Sequence, residues 1–231
     1  MNKIIYALIF LFTVSCLNNN ESKSDIALST TKHDVDTNGF KIDKELLSKI
    51  AKDIKKEAFP LNREVWNFDK NGNETNYVLN KGLIFNFVDE QKAHSIFNTY
   101  HEKVIQGNNY IFLTNMDFDD AYNSYYDIII IDGSDPFKII EQIGTNGLNY
   151  DIYNDDIIKK LKAWNALIDF KFVVIDEARI HVYMNKLPND LQKFSSDVYK
   201  FCPDVIDQGY GSMAEMMLDY KENRYFWLWW D

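Results

Sequence analysis

The sequence predicts an α+β fold with a mixed, largely antiparallel sheet and several packed helices. Helical and strand patterns follow one another without the strict β-α alternation of a doubly wound sheet, and hairpin signals are frequent. Of the 231 residues, 46% are hydrophobic and 15% are aromatic, so the chain can bury a substantial apolar core.

The N-terminal α+β region, residues 41–113, is predicted from helical periodicity and one turn signal. Leu46, Ile50 and Ile54 recur every four residues and predict the first helix. Asn71-Gly72 is a strong hairpin signal, because both turn positions require positive φ. The predicted elements are a helix at 43–58, hairpin strands at 64–68 and 76–79, a strand at 83–88, a helix at 89–106 capped by Asp89, and a strand at 110–113.

The C-terminal domain, residues 114–231, is predicted to alternate strands and helices. Four isoleucines follow Asp127, which is typical of a central strand covered on both faces. Ser212 and Glu215 form a capping box, and the aromatic run at 225–231 is predicted to be core on both faces. The predicted elements are strands at 126–131, 170–175, 179–184 and 225–231, and helices at 136–143, 154–167 capped by Asn154, 188–201 and 212–220.

The N-terminus resembles the export signal of bacterial lipoproteins. Lys3 precedes an apolar run of eleven residues and then Ser15 and Cys16, and this run is too short to cross a bilayer, which needs about 20 helical residues. The resemblance implies a cleaved signal peptide (1–15), a diacylglycerol on Cys16, and a cell-membrane or outer-membrane protein facing the periplasm or cell exterior. The polar residues 16–40 are predicted to form a flexible tether. The alternative is an ordinary secretory signal with an incidental cysteine.

Charge and cysteine content restrict the function further. The net charge of −10 disfavours nucleic acid as a partner, since binding to its backbone requires Lys and Arg. If Cys16 carries lipid, Cys202 is left without an intramolecular disulfide partner. Cys202 is then either a buried thiol or a site of intermolecular pairing.

Three separated motifs resemble a bacterial family known as domain of unknown function 4253. The resemblance covers roughly residues 126–231 and implies no activity, because none is established for that family. The motifs are GTNGLNYDI at 144–152, FCPDVIDQG at 201–209 and LWWD at 228–231.

The candidate catalytic residues are Asp204, Asp207, His181 and Cys202. Cys202 with His181, oriented by Asp204 or Asp207, has the residue types of a thiol nucleophile. Its position at a helix C-terminus disfavours the thiolate, and packing is the alternative. Asp204 and Asp207 together could bind a hard cation or act as acid and base, and they could equally accept backbone hydrogen bonds in a turn.

One face of a predicted strand could form a ligand platform. Arg179, His181 and Tyr183 alternate with apolar residues, so their side chains share one face. The alternative is the solvent side of an edge strand.

No metal or cofactor is expected from the sequence. The segment 69–73 resembles the start of a calcium loop but lacks the later glycine and carboxylate, and it is predicted to be a hairpin turn. His94 and His101 are separated by about 10 Å along a helix, which is too far to share a zinc ion.

The leading functional hypothesis is a membrane-anchored protein-binding module, for instance an immunity-like factor that binds a basic partner. The alternative is a hydrolase that uses the four candidate residues in and near the loop at 202–211. A small-ligand module that uses the Arg179, His181 and Tyr183 face is the third possibility.

Overall fold

The computed structural model describes residues 39–230. The predicted signal peptide, Cys16 and nearly all of the predicted tether therefore lie outside the described residues. Of the tether, Phe40 is buried against the core, so the folded part begins slightly earlier than predicted.

An α+β architecture is confirmed for the described residues. The strands are β1 (Phe59–Pro60), β2 (Arg63–Phe68), β3 (Glu74–Leu79), β4 (Gly82–Asp89), β5 (Asn109–Phe118), β6 (Ser124–Asp132), β7 (Phe170–Ile175), β8 (Arg179–Met184) and β9 (Tyr225–Trp229). The helices are α1 (Lys44–Ile54), α2 (Glu90–Gln106), α3 (Pro136–Ile143), α4 (Asn154–Ile168), α5 (Leu191–Phe201) and α6 (Met213–Asn223), and a π-helical segment, Val205–Tyr210, lies between the last two.

The main sheet has the order β1-β4-β6-β5-β7-β8-β9, and β2-β3 form a separate hairpin. Only the β5–β7 pairing is parallel; the other pairs of the main sheet are antiparallel. The prediction of a mixed, largely antiparallel sheet is therefore confirmed. Strand β6, from the predicted C-terminal domain, lies between β4 and β5 of the predicted N-terminal region.

Two apolar layers enclose the sheet. Helices α3 to α6 and the β2-β3 hairpin pack on one side, which we call the four-helix face. Helices α1 and α2 pack on the other side, which we call the α2 face. The isoleucines of β6 alternate between the two layers and are all buried, as expected of a central strand with a helix layer on each side.

Several element boundaries differ from those predicted. Helix α1 ends at Ile54, because Lys55 adopts a left-handed conformation. The N-cap of α4 is Tyr153 and not Asn154, which is the first residue of the helix. The Asn154 side-chain amide instead donates to the carbonyl oxygens of Ile140 at 3.0 Å and Thr145 at 2.9 Å, so it joins the end of α3 to the following loop.

The β2-β3 hairpin has the predicted turn, and β5-β6 has a second turn of the same kind that was not predicted. In each, an Asp carboxylate accepts two backbone N–H groups and an Asn side-chain amide: Asp69 with Asn73, and Asp119 with Asn123. Only Gly72 has positive φ in the first turn, so the expectation of positive φ at both central positions was wrong. Tyr122 takes the corresponding position in the second.

The C-terminal strand is apolar but is not core on both faces. Phe226 and Leu228 are buried on the four-helix face, whereas Tyr225, Trp227 and Trp229 alternate with them and are half-buried. The Trp227 ring also contacts the four-helix layer, where it stacks on Tyr210. The prediction for this strand was therefore correct for one face only.

Candidate binding surfaces

Cys202 lies in the core on the four-helix face. Its thiol donates to the carbonyl oxygen of Trp229 at 3.0 Å and accepts the backbone N–H of Trp229 at 3.3 Å. Burial raises the pKa of the thiol to about 12. Since the thiolate is the nucleophilic form, this position suits packing rather than catalysis.

His181 lies on the opposite side of the sheet from Cys202. Its neighbours in β8, Ile180 and Val182, belong to the same apolar layer as Cys202. Because side chains alternate along a strand, the imidazole projects from the α2 face. The structure therefore does not bring His181 and Cys202 together as base and nucleophile.

The two candidate aspartates occupy different environments. Asp204 is buried and accepts hydrogen bonds from the Tyr150 hydroxyl at 2.5 Å and from the Gln208 amide at 2.9 Å. The bond to Asp204 raises the pKa of Tyr150 to about 12. Asp207 is exposed and accepts from the Tyr199 hydroxyl at 3.1 Å. The contacts of Asp204 thus join the segments 144–152 and 201–209.

The three sequence motifs meet at one junction at the end of β9. The ring of Trp230 lies against Gly147, where a Cβ atom would be 2.7 Å from the indole. The Phe201 and Trp230 rings are edge to face with centroids 5.8 Å apart. At Gly209 a Cβ atom would be 2.2 Å from the Trp227 ring. The glycines of these motifs therefore make room for tryptophan rings of the C-terminal strand.

The predicted platform of Arg179, His181 and Tyr183 continues onto β9. Strand β8 is not an edge strand, because β9 pairs along its whole length; the edge-strand alternative is therefore wrong. Paired residues of β9 add three aromatic side chains to the same face. We call this set the His–Tyr surface; its half-buried members are Arg179, His181, Tyr183, Tyr225, Trp227 and Trp229.

Two histidine–tyrosine hydrogen bonds organise the His–Tyr surface. His181 Nδ1 lies 2.6 Å from the Tyr225 hydroxyl, and His94 Nδ1, on α2, lies 3.0 Å from the Tyr183 hydroxyl. Burial and the nearby Arg179 lower the pKa of His181 to about 3, and burial lowers that of His94.

In each histidine–tyrosine pair the pKa of the imidazole is lowered and the pKa of the phenol is raised, so the two pKa values lie far apart. Burial raises the pKa of both Tyr225 and Tyr183. A weakly basic imidazole beside a weakly acidic phenol exchanges protons poorly near neutral pH, where a catalytic pair needs values near the working pH. The arrangement therefore suits binding through fixed neutral groups.

A cleft opens at one end of the His–Tyr surface, between the first turn of α2, α6 and β9. Its volume is about 350 Å³. It contains two carboxylates, which accept hydrogen bonds from neutral groups: Glu90 from the Ser124 hydroxyl, and Asp219 from the Tyr210 hydroxyl at 2.6 Å. The lining residues are Glu90, His94, Tyr183, Asp219, Asn223 and Tyr225.

A second surface lies at the tip of the β5-β6 hairpin. Tyr122 is 80% exposed and Phe118 is 53% exposed. Beside them, Phe87 is 42% exposed and stacks on Tyr125 with ring centroids 4.1 Å apart. We call this surface the acidic aromatic tip; it comprises Phe87, Asp117, Phe118, Asp119, Asp120, Tyr122 and Tyr125.

Bulges in two strands hold the base of the tip in place. Strands β4 and β5 both shift register where they flank β6. Phe87 and Asn115 adopt φ values of 54° and 49° there. Asp127 accepts the backbone N–H of Phe87 and the side-chain amide of Asn115, both at 2.8 Å. A bulky residue with positive φ stores strain, and such strain concentrates at functional positions.

The fold and these surfaces define an α+β domain with a seven-stranded mixed sheet, a His–Tyr surface on one face and an aromatic hairpin tip. Residues 127–231 match the model of the family described as domain of unknown function (DUF4253). The resemblance expected from the three motifs is therefore confirmed for the C-terminal part of the chain. Neither the comparison with curated proteins nor that with solved structures found a match.

Two further features concern only residues 39–230. No helix in this range is sufficiently long and apolar to cross a membrane. Within the same range, no group of three or more His, Cys, Asp or Glu side chains is arranged to hold a metal ion.

Proposed function

We propose that this chain is a membrane-anchored lipoprotein whose folded domain binds a basic protein partner through the acidic aromatic tip. The exposure of Phe118 and Tyr122 is the observation that carries the proposal. Tyr is enriched among the residues that dominate binding energy at interfaces, and Phe118 and Tyr122 are exposed at the end of one hairpin.

The charge of the tip supports a basic partner. Asp117, Asp119 and Asp120 lie in sequence beside the exposed rings, and the chain as a whole carries a net charge of −10. Complementary charge accelerates association and suppresses wrong partners. An immunity-like factor, which must bind its target quickly, would benefit from this.

The tip presents aromatic groups on both sides of the hairpin. Phe118 pairs with Ser124, and Tyr125 pairs with Asp117, so the two rings project from opposite sides of the ribbon. Tyr122 lies at the turn between them. A partner could thus enclose the end of the hairpin and bury three rings at once.

Cross-linked capture from the native cell tests the binding proposal. The full chain is compared with a Phe118→Ala/Tyr122→Ala variant and with Leu167→Ala, which removes an exposed apolar side chain of α4 outside the tip. We expect one basic protein to be recovered with the wild type and with Leu167→Ala but not with the tip variant, and recovery to fall at high salt. Equal recovery with the tip variant would contradict the proposal.

The lipid anchor is tested separately. A Cys16→Ser variant of the full chain should lose the diacylglycerol and move from the membrane fraction to the soluble fraction, which immunoblotting of the two fractions measures. If both the wild type and the variant are found in the soluble fraction, the N-terminus is an ordinary secretory signal and Cys16 carries no lipid.

A further inference from the structure

We propose that the cleft beside the His–Tyr surface binds a small organic ammonium group. This inference is independent of the proposed function, because it rests on the cleft and not on the hairpin tip. The cleft is shallow and open to solvent, and its volume of about 350 Å³ suffices for a small cation that rests against its walls.

The charge inside the cleft favours a cation. Glu90 and Asp219 line it, and no Lys or Arg is among the lining residues. Among residues 39–230, neither carboxylate forms an ion pair with a basic side chain. The Ser124 hydroxyl donates to Glu90, and the Tyr210 hydroxyl and the Asn223 amide donate to the two oxygens of Asp219. These neutral donors orient the two carboxylates but do not neutralise their charge.

Aromatic rings form the remainder of the wall. The Tyr183 and Tyr225 ring centroids are 5.0 Å apart, and the His94 ring lies 6.2 Å from the first and 6.3 Å from the second. Cations are attracted to the faces of tyrosine rings. The hydroxyls of both tyrosines are engaged by imidazole nitrogens, so the rings are held in place before a ligand arrives.

The lining histidine does not oppose a cation. Burial lowers the pKa of His94, and Glu90 opposes this shift only partly. The imidazole is therefore neutral at pH 7. The cleft thus presents two carboxylates and three rings to its occupant, with the Asn223 amide engaged by Asp219, and an alkyl-substituted ammonium satisfies both the charge and the apolar surface.

Titration of the full chain with choline, and with its uncharged isostere 3,3-dimethylbutan-1-ol, tests the inference. Chemical-shift changes of the tyrosine side chains measure binding. We expect saturable binding of choline and about tenfold weaker binding of the alcohol, since the two probes differ in charge and not in shape. Binding of both probes with equal strength, or no saturable binding of choline, would overturn the inference.

Matched variants locate the site. Glu90→Gln and Asp219→Asn should each weaken choline binding about tenfold, whereas Asp155→Asn, which removes an exposed carboxylate of α4 outside the cleft, should leave it unchanged. If Asp219→Asn does not fold, because it weakens the contact with Tyr210, Glu90→Gln and the comparison of the two probes decide the outcome. Unchanged choline affinity in a folded Glu90→Gln variant counts against the site.

A third arm distinguishes the source of the ammonium group. Nα-acetyl-lysine amide carries the same group on a peptide-like backbone, and n-butylammonium carries it alone. Stronger binding of the lysine derivative indicates a protein side chain as the natural ligand, and stronger binding of butylammonium indicates a free amine. Failure of both to compete with choline would contradict the assignment.

Discussion

At the scale of single residues, Tyr122 combines an unfavourable backbone conformation with an exposed side chain. Its φ is 61°, close to the 76° of Gly72 in the matching turn. A side chain is disfavoured there and glycine is not. Relief of the left-handed strain stabilises the protein by about 1–2 kcal/mol, and the greater entropy of glycine in the unfolded chain offsets about 0.5–1 kcal/mol of this. We therefore expect Tyr122→Gly to increase the free energy of unfolding by about 0.5–1 kcal/mol, measured by urea unfolding.

The same substitution separates stability from binding. If Tyr122 belongs to a partner site, the glycine variant should be more stable than the wild type and yet recover less of the captured partner. Gly72→Ala is the control and should lower stability, because it introduces the strain that Tyr122→Gly removes. A destabilised Tyr122→Gly protein would contradict this reading of the turn.

His181 should make the stability of the domain depend on pH. Its pKa is lowered to about 3, so the unfolded chain, in which the imidazole has a pKa of about 6.5, takes up the proton first as the pH falls. The contribution of His181 to the free energy of unfolding is therefore fully present above about pH 6.5. It is lost as the pH falls below that value, by up to about 1.4 kcal/mol per pH unit.

Urea unfolding at about pH 7.5 and about pH 5 measures this effect. The His181→Gln variant should lose less stability between the two values than the wild type does. Some dependence should persist, because burial also lowers the pKa of His94 and His101. An identical loss in the variant and the wild type would show that His181 does not carry the effect.

At the scale of elements, the junction of the three motifs depends on a glycine. Gly147 is buried against Trp230, and a methyl group there would have to displace an indole that has little room to move. Overpacking of this kind costs about 1–3 kcal/mol. We expect Gly147→Ala to lower the thermal midpoint clearly, whereas Ala at the neighbouring exposed Asn149 should leave it nearly unchanged. Equal midpoints for the two variants would show that the loop shifts to accommodate the methyl group.

What could be predicted at this scale was local. The isoleucines of β6, the cap at Asp89 and the turn at Asn71-Gly72 are all signalled within a few residues, and the structure contains each of them. The bonds of the His–Tyr surface join residues 44 and 89 positions apart. Sequence periodicity does not indicate contacts between residues so far apart. The sequence therefore predicted the platform on β8 but not the side chains of β9 and α2 that complete it.

The bulges beside Asp127 were missed for the same reason. Its carboxylate accepts the N–H of Phe87, which is 40 positions away. Neither β4 nor β5 contains a glycine or proline at its bulge that would have indicated the irregularity. A strand pattern alone predicts straight strands. The long-range hydrogen bonds, which the sequence does not reveal, place the exposed aromatic residues of the tip.

At the scale of the whole molecule, β9 is the edge strand that covers β8 and contributes to the core under the four-helix face. Phe226, Leu228 and Trp230 are buried in it, and each contributes on the order of 2–3 kcal/mol. Their sum is comparable with the total stability of a domain, about 5–15 kcal/mol. Removal of β9 would also expose the backbone edge of β8 and the core positions that receive these rings.

We therefore expect a chain truncated after Arg224 not to fold, as judged by the absence of a cooperative thermal transition in circular dichroism. The milder Leu228→Ala change should fold and lose about 2–5 kcal/mol, because it leaves a cavity but keeps the strand. A soluble truncated protein that melts cooperatively would mean that the other strands suffice for the fold. In that case β9 would serve chiefly to supply Tyr225 and Trp227 to the His–Tyr surface, and the truncated protein would lose choline binding while keeping its structure.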